Sequence, residues 1–371
     1  MDSLLAICTV PPWPALNGYS LRVSHLLDAL ADRWAITLIS PSSGELSSRI
    51  LRHVPATLHG RGFTYPWRFD QTALRAALDR AIQEHRPDRA LVWAGAEALW
   101  FGRSNLPRAV VDVIDCNPLE FWRGFVSYRD LRQRYRALRE IAVATRSARR
   151  TVRAYAATVC VGEADARWLR LIGGRDTVHV VPNGVDIPPV DSVPAEAQEP
   201  TLSFTGALDY RPNVEAVLFA AKAIWPRIHA EIPDARFVVA GRDPAPEVLA
   251  LGGQANIDIA PNVPDMTTIL GQSWVSLAPM RSGVGIKNKV LEAWACARPV
   301  VMTRIATNGL LVPGDHAPLV ADTADAMAAS VLALFRDPDR RRHLGSSARD
   351  NVRTHFAWAD AAARIDALLR N

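Results

Sequence analysis

The sequence predicts two consecutive doubly wound α/β units, each a parallel sheet covered by helices on both faces. Two observations carry this. Short apolar, β-rich runs alternate with longer amphipathic stretches, the signature of a parallel sheet with crossover helices. The alternation stops once, over Ile187–Pro200, where Pro, Glu and Ala dominate, and then starts again. With 371 residues and 49% hydrophobic content, the chain has material for two cores.

In chain order, the first series of strands is expected at Leu4–Val10, Ala35–Ser40, Arg89–Trp93, Ala109–Val113, Ala157–Val161 and Thr177–Val181, with helices such as Leu21–Ala31 and Thr72–His85 between them. The second series is expected at Leu202–Thr205, Arg236–Ala240, Val275–Ala278, Val300–Val301 and Pro318–Val320. The domain reading is therefore residues 1–186, a linker over 187–200, and residues 201–356. In doubly wound sheets, ligands bind beyond the carboxyl ends of the strands, so the site is expected in a cleft between the two domains.

Bulk properties narrow the function. Charged residues make up 22%, a globular composition. No apolar run reaches the ~18 residues of a membrane span. Met1–Val10 carries no preceding basic residue and reads as a buried strand, not a signal peptide. Cys8, Cys116, Cys160 and Cys296 are scattered with no CxxC pair, which suits free thiols in the cytoplasm and argues against a structural metal. The net charge of +5 and a pI of about 9.3 favour anionic partners. No nucleic-acid motif is present. Asp337-Pro338-Asp339 spells a DxD pattern but sits at a polar helix junction and reads as a turn, so no metal is assigned.

The most informative stretch is Gly283-Val284-Gly285-Ile286-Lys287-Asn288-Lys289-Val290-Leu291-Glu292, a glycine-rich loop running into a helix. Backbone N–H groups of Gly283, Gly285 and Ile286 can approach an anion, and Lys287 and Lys289 add positive charge there. Glu292, one to two turns on, can accept from a sugar hydroxyl. Together they suit a nucleoside diphosphate attached to a ribose; the alternative is surface lysines and a surface glutamate. Gly206 ends a strand before a turn, where a diphosphate could approach the backbone. Arg211 and Arg242 are candidate cations nearby, although Arg211-Pro212 also fits a plain helix start. Asn183-Gly184 is a turn signal with or without function. Asn17 and Gly18 open the first helix, and Arg22 either reaches a phosphate or pairs on its own helix. Asp112 and Asp115 flank a strand's carboxyl end, where Asp115 either meets an acceptor or caps a helix. The nine histidines, His25 on the first helix among them, have no recognisable partner. Tryptophans 13, 67, 93, 100 and 122 suit sugar stacking or core packing. Arg123–Arg153 reads as one long basic helix, with Arg129, Arg132, Arg136, Arg139, Arg146, Arg150 and Arg153 on one face and Leu131, Leu138, Ala142 and Val152 on another. Its partners are either water or an anionic membrane surface.

These motifs resemble a known family. Lys289–Val301 ("KVLEAWACARPVV"), Val181–Asp186 ("VPNGVD"), Phe204–Asn213 ("FTGALDYRPN"), Phe237–Arg242 and Phe356–Trp358 are similar, in order, to segments of the retaining GT-B glycosyltransferases of family 4. They cover roughly the second half of the chain. The resemblance implies a hexosyltransferase that takes a sugar from a nucleotide sugar donor to an acceptor hydroxyl with retention. The diphosphate would leave from the same face the acceptor attacks, and no cofactor or metal would be needed. It implies catalytic roles for Lys287, Asp115 and Arg211, and donor contacts at Gly206, Arg242, Gly283, Gly285, Ile286, Lys289 and the ribose-binding Glu292, with Asn183 and Gly18 bordering the site. The final helix, within 357–371, would cross back to the first domain. It also makes a cytoplasmic protein, peripheral on the inner membrane face through Arg129–Arg153, one expectation. The chain departs from the family twice: Val284 replaces a glutamate and Ala207 an arginine. The rivals are a nucleotide-sugar epimerase of the same fold, a membrane-binding scaffold without activity, and a nicotinamide-dependent dehydrogenase, which lacks its strand–GxGxxG–helix motif.

Overall fold

The structure is a computed structural model that describes residues 1–15, 17–41, 46–56, 59–61, 68–70, 72–94, 105–127, 130–283 and 285–371. The chain forms two compact units: Met1–Gly184 together with Trp358–Asn371, and Val185–Ala357.

The first unit contains β1 (Asp2–Cys8), β2 (Trp34–Ser40), β3 (Arg52–Pro55), β4 (His59–Arg61), β5 (Arg68–Asp70), β6 (Arg89–Trp93), β7 (Ala109–Ile114), β8 (Ala157–Cys160) and β9 (Val178–Val180). Seven of these make one parallel sheet in the order β3-β2-β1-β6-β7-β8-β9, and β4 and β5 pair as an antiparallel ribbon. Side chains alternate across β1 with period two. Leu4 and Ala6 join the layer with Leu26, Leu27 and Leu30 of the helix Gly18–Leu30 and Ile365 and Leu369 of the helix Trp358–Arg370. Leu5 and Ile7 point the other way, to Leu74 and Leu78 of the helix Thr72–His85. The C-terminal helix is tied to this unit by polar groups too: Asp366 accepts from Trp34 Nε1 (2.7 Å), and Arg89 Nε donates to the Leu369 carbonyl (2.7 Å).

The second unit contains β10 (Thr201–Thr205), β11 (Arg236–Gly241), β12 (Ile257–Pro261), β13 (Val275–Ala278) and β14 (Val300–Met302), in the order β12-β11-β10-β13-β14, all parallel. Residues 187–200 are not extended tether. Trp274 Nε1 donates to Ala197 O (2.8 Å), and Glu196 pairs with the buried Arg341 (2.8 Å).

Three expectations need correcting. Pro318–Val320 is not a strand: Gly314–Leu319 is a 3₁₀ helix, with only a single bridge from Val320 to Met302. The basic helix is broken in two. Asn117–Ser127 is one helix, and Asp130 starts another, Leu131–Ala154, by accepting from Arg132 N (3.0 Å). Arg129, between them, lies outside the described residues. The second helix buries Ala137, Ala144, Ser147, Thr151 and Val152, whereas Leu131, Leu138 and Ala142, expected on a separate apolar face, are exposed.

A candidate anion site at the switch point of the second sheet

The second sheet reverses its winding between β10 and β13, and the loops beyond their carboxyl ends form the candidate site. After β10 comes Gly206 at φ 144°, a conformation that disfavours side chains. Its N–H donates to Ala240 O (3.1 Å), and Leu208 N donates to Arg242 O (2.8 Å), so the turns after β10 and β11 are laced together. They approach so closely that a Cβ on Gly241 would lie 1.7 Å from the Gly206 oxygen. Gly241 is thus required by backbone contact.

After β13, the loop runs through Gly283 (φ 101°) and Gly285 (φ 69°) into the helix Asn288–Ala295, whose N-cap, Lys287, makes no side-chain cap. Thr303 Oγ1 pins the loop's start at Met280 O (2.7 Å). Its end is held at Gly285 O, which accepts from Lys287 Nζ (2.9 Å) and Asn308 Nδ2 (3.4 Å).

The two lysines serve different loops. Lys287 is buried, and its ammonium lies 3.7 Å from where a Cβ on Gly283 would be. Lys289, in the first helical turn, projects back toward the N-terminal side. Its Nζ lies over the Phe204 ring, 3.7 Å from the centroid, donates to Asn213 Oδ1 (2.8 Å), and sits 3.0 Å from the Cβ position at Gly206. Asn213 is itself fixed by donating to Ala207 O (2.8 Å). Burial lowers the Lys289 pKa well below the usual lysine value; Glu292 pulls it up and Lys287 pushes it further down. Burial also raises the Glu292 pKa, a rise that Lys289 opposes. Glu292 lies one turn after Lys289, and among the described residues its carboxylate makes no hydrogen bond.

The ammonium of this half-buried lysine, held against the Gly206 turn with its charge disfavoured by desolvation, is poised to gain from an incoming anion. Asn213 and Gly241 complete this arrangement. Sequence alone does not single them out as site residues, although both lie in quoted motifs. Ile286 packs its side chain against the core. Arg242 flanks the laced turns and, among the described residues, its guanidinium has no partner. Arg211 is exposed and paired with Glu215 on its own helix (2.9 Å), and Glu215 also accepts from Ser282 of the glycine loop (2.9 Å). Val284 lies outside the described residues.

The first-unit candidates fall elsewhere. Gly18 is exposed in the first turn of its helix, after the Asn17 capping box. The neighbouring Tyr19 hydroxyl accepts from Thr9 N (3.2 Å) and donates to Trp93 O (2.7 Å), joining β1 to β6 at that sheet's own switch point. Asn183 is buried and accepts from Arg22 Nη1 (2.8 Å). Arg22 neither reaches outward nor pairs on its helix. It is fully buried and donates through Nε to Asp112 (2.7 Å). Asp115 follows Ile114, whose φ of 61° is unusual for a β-branched residue and coincides with a register shift between β7 and β8. Asp115 lines a cavity with Cys116, Ser147, Thr151, Thr158 and Leu169. His25 stacks on Trp358, 4.6 Å between centroids. Trp93 is fully buried and Trp122 exposed; tryptophans 67 and 100 lie outside the described residues. Asp337 caps the helix Pro338–His355 by accepting from Arg340 N (2.9 Å), which explains the DxD pattern without a metal. All four cysteines are free and buried, and burial pushes the Cys116 thiol up to about 12, away from reactivity. Among the described residues, no group of three or more His, Cys, Asp or Glu is placed to hold a metal ion.

Family comparisons cover both halves of the chain. Residues 16–187 match the model described as Glycosyltransferase Family 4, and residues 199–337 match the model described as Glycosyl transferases group 1. The chain is a GT-B glycosyltransferase of this family. A curated relative, the α-maltose-1-phosphate synthase of Mycolicibacterium smegmatis, is 29% identical over 215 residues, 50% of this chain; the match spans about half of that protein, 55%. Among solved structures, Anabaena HepE in complex with UDP and glucose is 14% identical with a TM-score of 0.70, covering 100% of both chains. WaaG, a glycosyltransferase involved in lipopolysaccharide biosynthesis, is 15% identical with a TM-score of 0.67, covering 97% of this chain and 99% of its own. In this glycosyltransferase, no described helix is long and apolar enough to cross a membrane.

Proposed function

We propose that this glycosyltransferase takes a hexose-type sugar from a nucleoside diphosphate donor and transfers it, with retention, to an acceptor hydroxyl. The observation that carries the reading is the Lys289 ammonium, held by Asn213 against Gly206 and Phe204 at the sheet's switch point. The diphosphate lies there, between the Gly206 turn and the Gly283–Lys287 loop. Lys289 and Lys287 face the charge that grows on the leaving phosphate. Glu292 accepts from the ribose. As the bond from the anomeric carbon to the phosphate oxygen breaks, the acceptor oxygen bonds that carbon from the same face, and its proton passes to the departing phosphate. No protein nucleophile or metal is called on. Lys289 also replaces the cation missing at Ala207, which moves Arg211 to a minor role. HepE, solved with UDP and with UDP-glucose, makes uracil the first base to try.

Thermal shift with UDP, GDP, ADP, dTDP and CDP tests the site, since a ligand of the native state raises its melting temperature. One nucleotide should give a shift that Lys289→Met and Glu292→Gln both reduce. Product analysis with the matching nucleotide sugar then separates transfer from epimerisation, which needs no acceptor. No shift with any nucleotide would sink the reading in favour of a scaffold.

A further inference from the structure

We infer that Glu215 is a specificity-determining residue for the donor: its carboxylate, held at the start of the glycine loop, accepts a hydrogen bond from a hydroxyl of the hexose. The inference rests on the donor reading above and adds to it a part for the helix Arg211–Phe219. Pro212, Glu215 and Phe219 are spaced i, i+3, i+7 and share one face of that helix. The start of the glycine loop runs along this face in the opposite direction. The Arg281 guanidinium lies over the Phe219 ring (4.9 Å), Ser282 Oγ donates to Glu215 Oε2 (2.9 Å), and a Cβ on Gly283 would lie 3.6 Å from Pro212 Cβ. Asn213 turns the other way, to Ala207 O and Lys289. The helix therefore organises both turns that border the diphosphate, and Glu215 is its acidic group on the loop side.

The loop Arg281–Lys287 has two cations and no carboxylate of its own. Cations suit phosphate, whereas the hydroxyls of a sugar need acceptors, and an ionised carboxylate is a strong one. Glu215 meets Arg211 Nε through Oε1 (2.9 Å) and Ser282 through Oε2. A carboxylate oxygen can accept two hydrogen bonds, so among the described residues each oxygen keeps room for one more. The side chain is 39% exposed, within reach of a ligand. An i, i+4 pair with Arg211 alone would be a solvated surface pair. It does not explain why Oε2 is turned onto the loop that follows another strand.

Calorimetric titration separates the hexose from the nucleotide. The probes are whichever of UDP, GDP, ADP, dTDP and CDP shifts the parent's melting temperature, its glucosyl, galactosyl and mannosyl conjugates, and deoxy analogues of the tightest conjugate. Glu215→Gln keeps the shape and an oxygen for Ser282 and removes the charge. It should leave the Kd of the bare nucleotide within about twofold. The Kd of the tightest conjugate should rise by about five- to tenfold, the difference between a charged and a neutral acceptor. One deoxy analogue should bind the parent about tenfold more weakly than the full sugar, a penalty that Glu215→Gln reduces to about twofold. Ser282→Ala, which removes the pin and keeps the carboxylate, should cost the conjugate less than Glu215→Gln does. A Glu215→Gln loss that is equal for nucleotide and conjugates, no loss with either, or deoxy penalties that are the same in both proteins would overturn the inference and make Glu215 a support for the loop. No nucleotide binding by the parent would instead sink the donor reading, and this inference with it.

Discussion

Replacing Lys289 by methionine should separate stability from function. The side chains are similar in length, so the change removes the ammonium and little volume. In the free protein, that ammonium gains one hydrogen bond to Asn213 and a contact with the Phe204 ring, together worth about 1–3 kcal/mol. Against this stands the cost of burying charge, and the depressed pKa says that the cost dominates even with Glu292 nearby. Charge removal at buried sites is often neutral or stabilising when shape is kept. The melting temperature of Lys289→Met should therefore stay within about 3 °C of the parent, roughly 1 kcal/mol for a unit of this size. Binding should respond quite differently. A charge-assisted hydrogen bond to a phosphate oxygen contributes about 1.5–3 kcal/mol, so nucleoside diphosphate Kd should rise by roughly 10- to 150-fold. Calorimetric titration and a thermal melt on the same preparation read both. A variant that melts much lower yet binds as before would refute the argument and make Lys289 a structural residue.

Other expectations rest on the same geometry. Because the free Lys289 pKa is lowered by burial and a phosphate anion raises it again, binding should take up a proton and weaken as pH rises through that lowered value. Lys289→Arg, always charged, should flatten the dependence; titration in buffers of different ionisation enthalpy measures the proton. Gly241→Ala puts a Cβ 1.7 Å from the Gly206 oxygen. Since such pairs need about 3.3 Å, the laced turns must part, which costs about 1–3 kcal/mol or more by denaturant unfolding and weakens nucleotide binding as well. Arg22→Met leaves Asp112 charged in the core and should cost about 3–5 kcal/mol. The double change with Asp112→Leu should cost less than the sum of the two single changes, a coupling that a double-mutant cycle reads.

Hydrophobic periodicity makes part of the fold legible in the sequence. β1, β2, β6, β7 and β10 are runs buried on both faces, and their expected bounds nearly match those observed. β12 (Ile257–Pro261) escapes the pattern because it is a short edge strand, its apolar run broken by Asp258 and closed by Pro261, with only Ile257 buried. Pro318–Val320 misleads because a β-branched residue beside leucine suggests a strand where proline favours a turn. The break at Asp130 is written in the sequence as an N-cap residue, but the run of arginines on both sides masks it. In the candidate site, Lys287 and Lys289 are only two positions apart, and composition alone cannot rank them. The ranking comes from backbone conformation: Lys287 is extended at the N-cap, whereas Lys289 is helical and reaches back across the sheet to Asn213.

That reach also accounts for Ala207. The turn after Gly206 has no cation of its own, and Arg211, the nearest one in sequence, pairs with Glu215 in solvent. A lysine arriving from another strand's helix needs room, and the missing Cβ of Gly206 provides it: Lys289 Nζ and Asn213 Nδ2 would both stand 3.0 Å from that carbon. The charge is thus delivered across the switch point rather than along the turn. Gly206→Ala should therefore weaken nucleotide binding by displacing Lys289 as well as by straining the turn, and Lys289→Met should make the Gly206→Ala effect smaller. A Gly206→Ala effect of the same size in both backgrounds would confine the role of Gly206 to its own backbone.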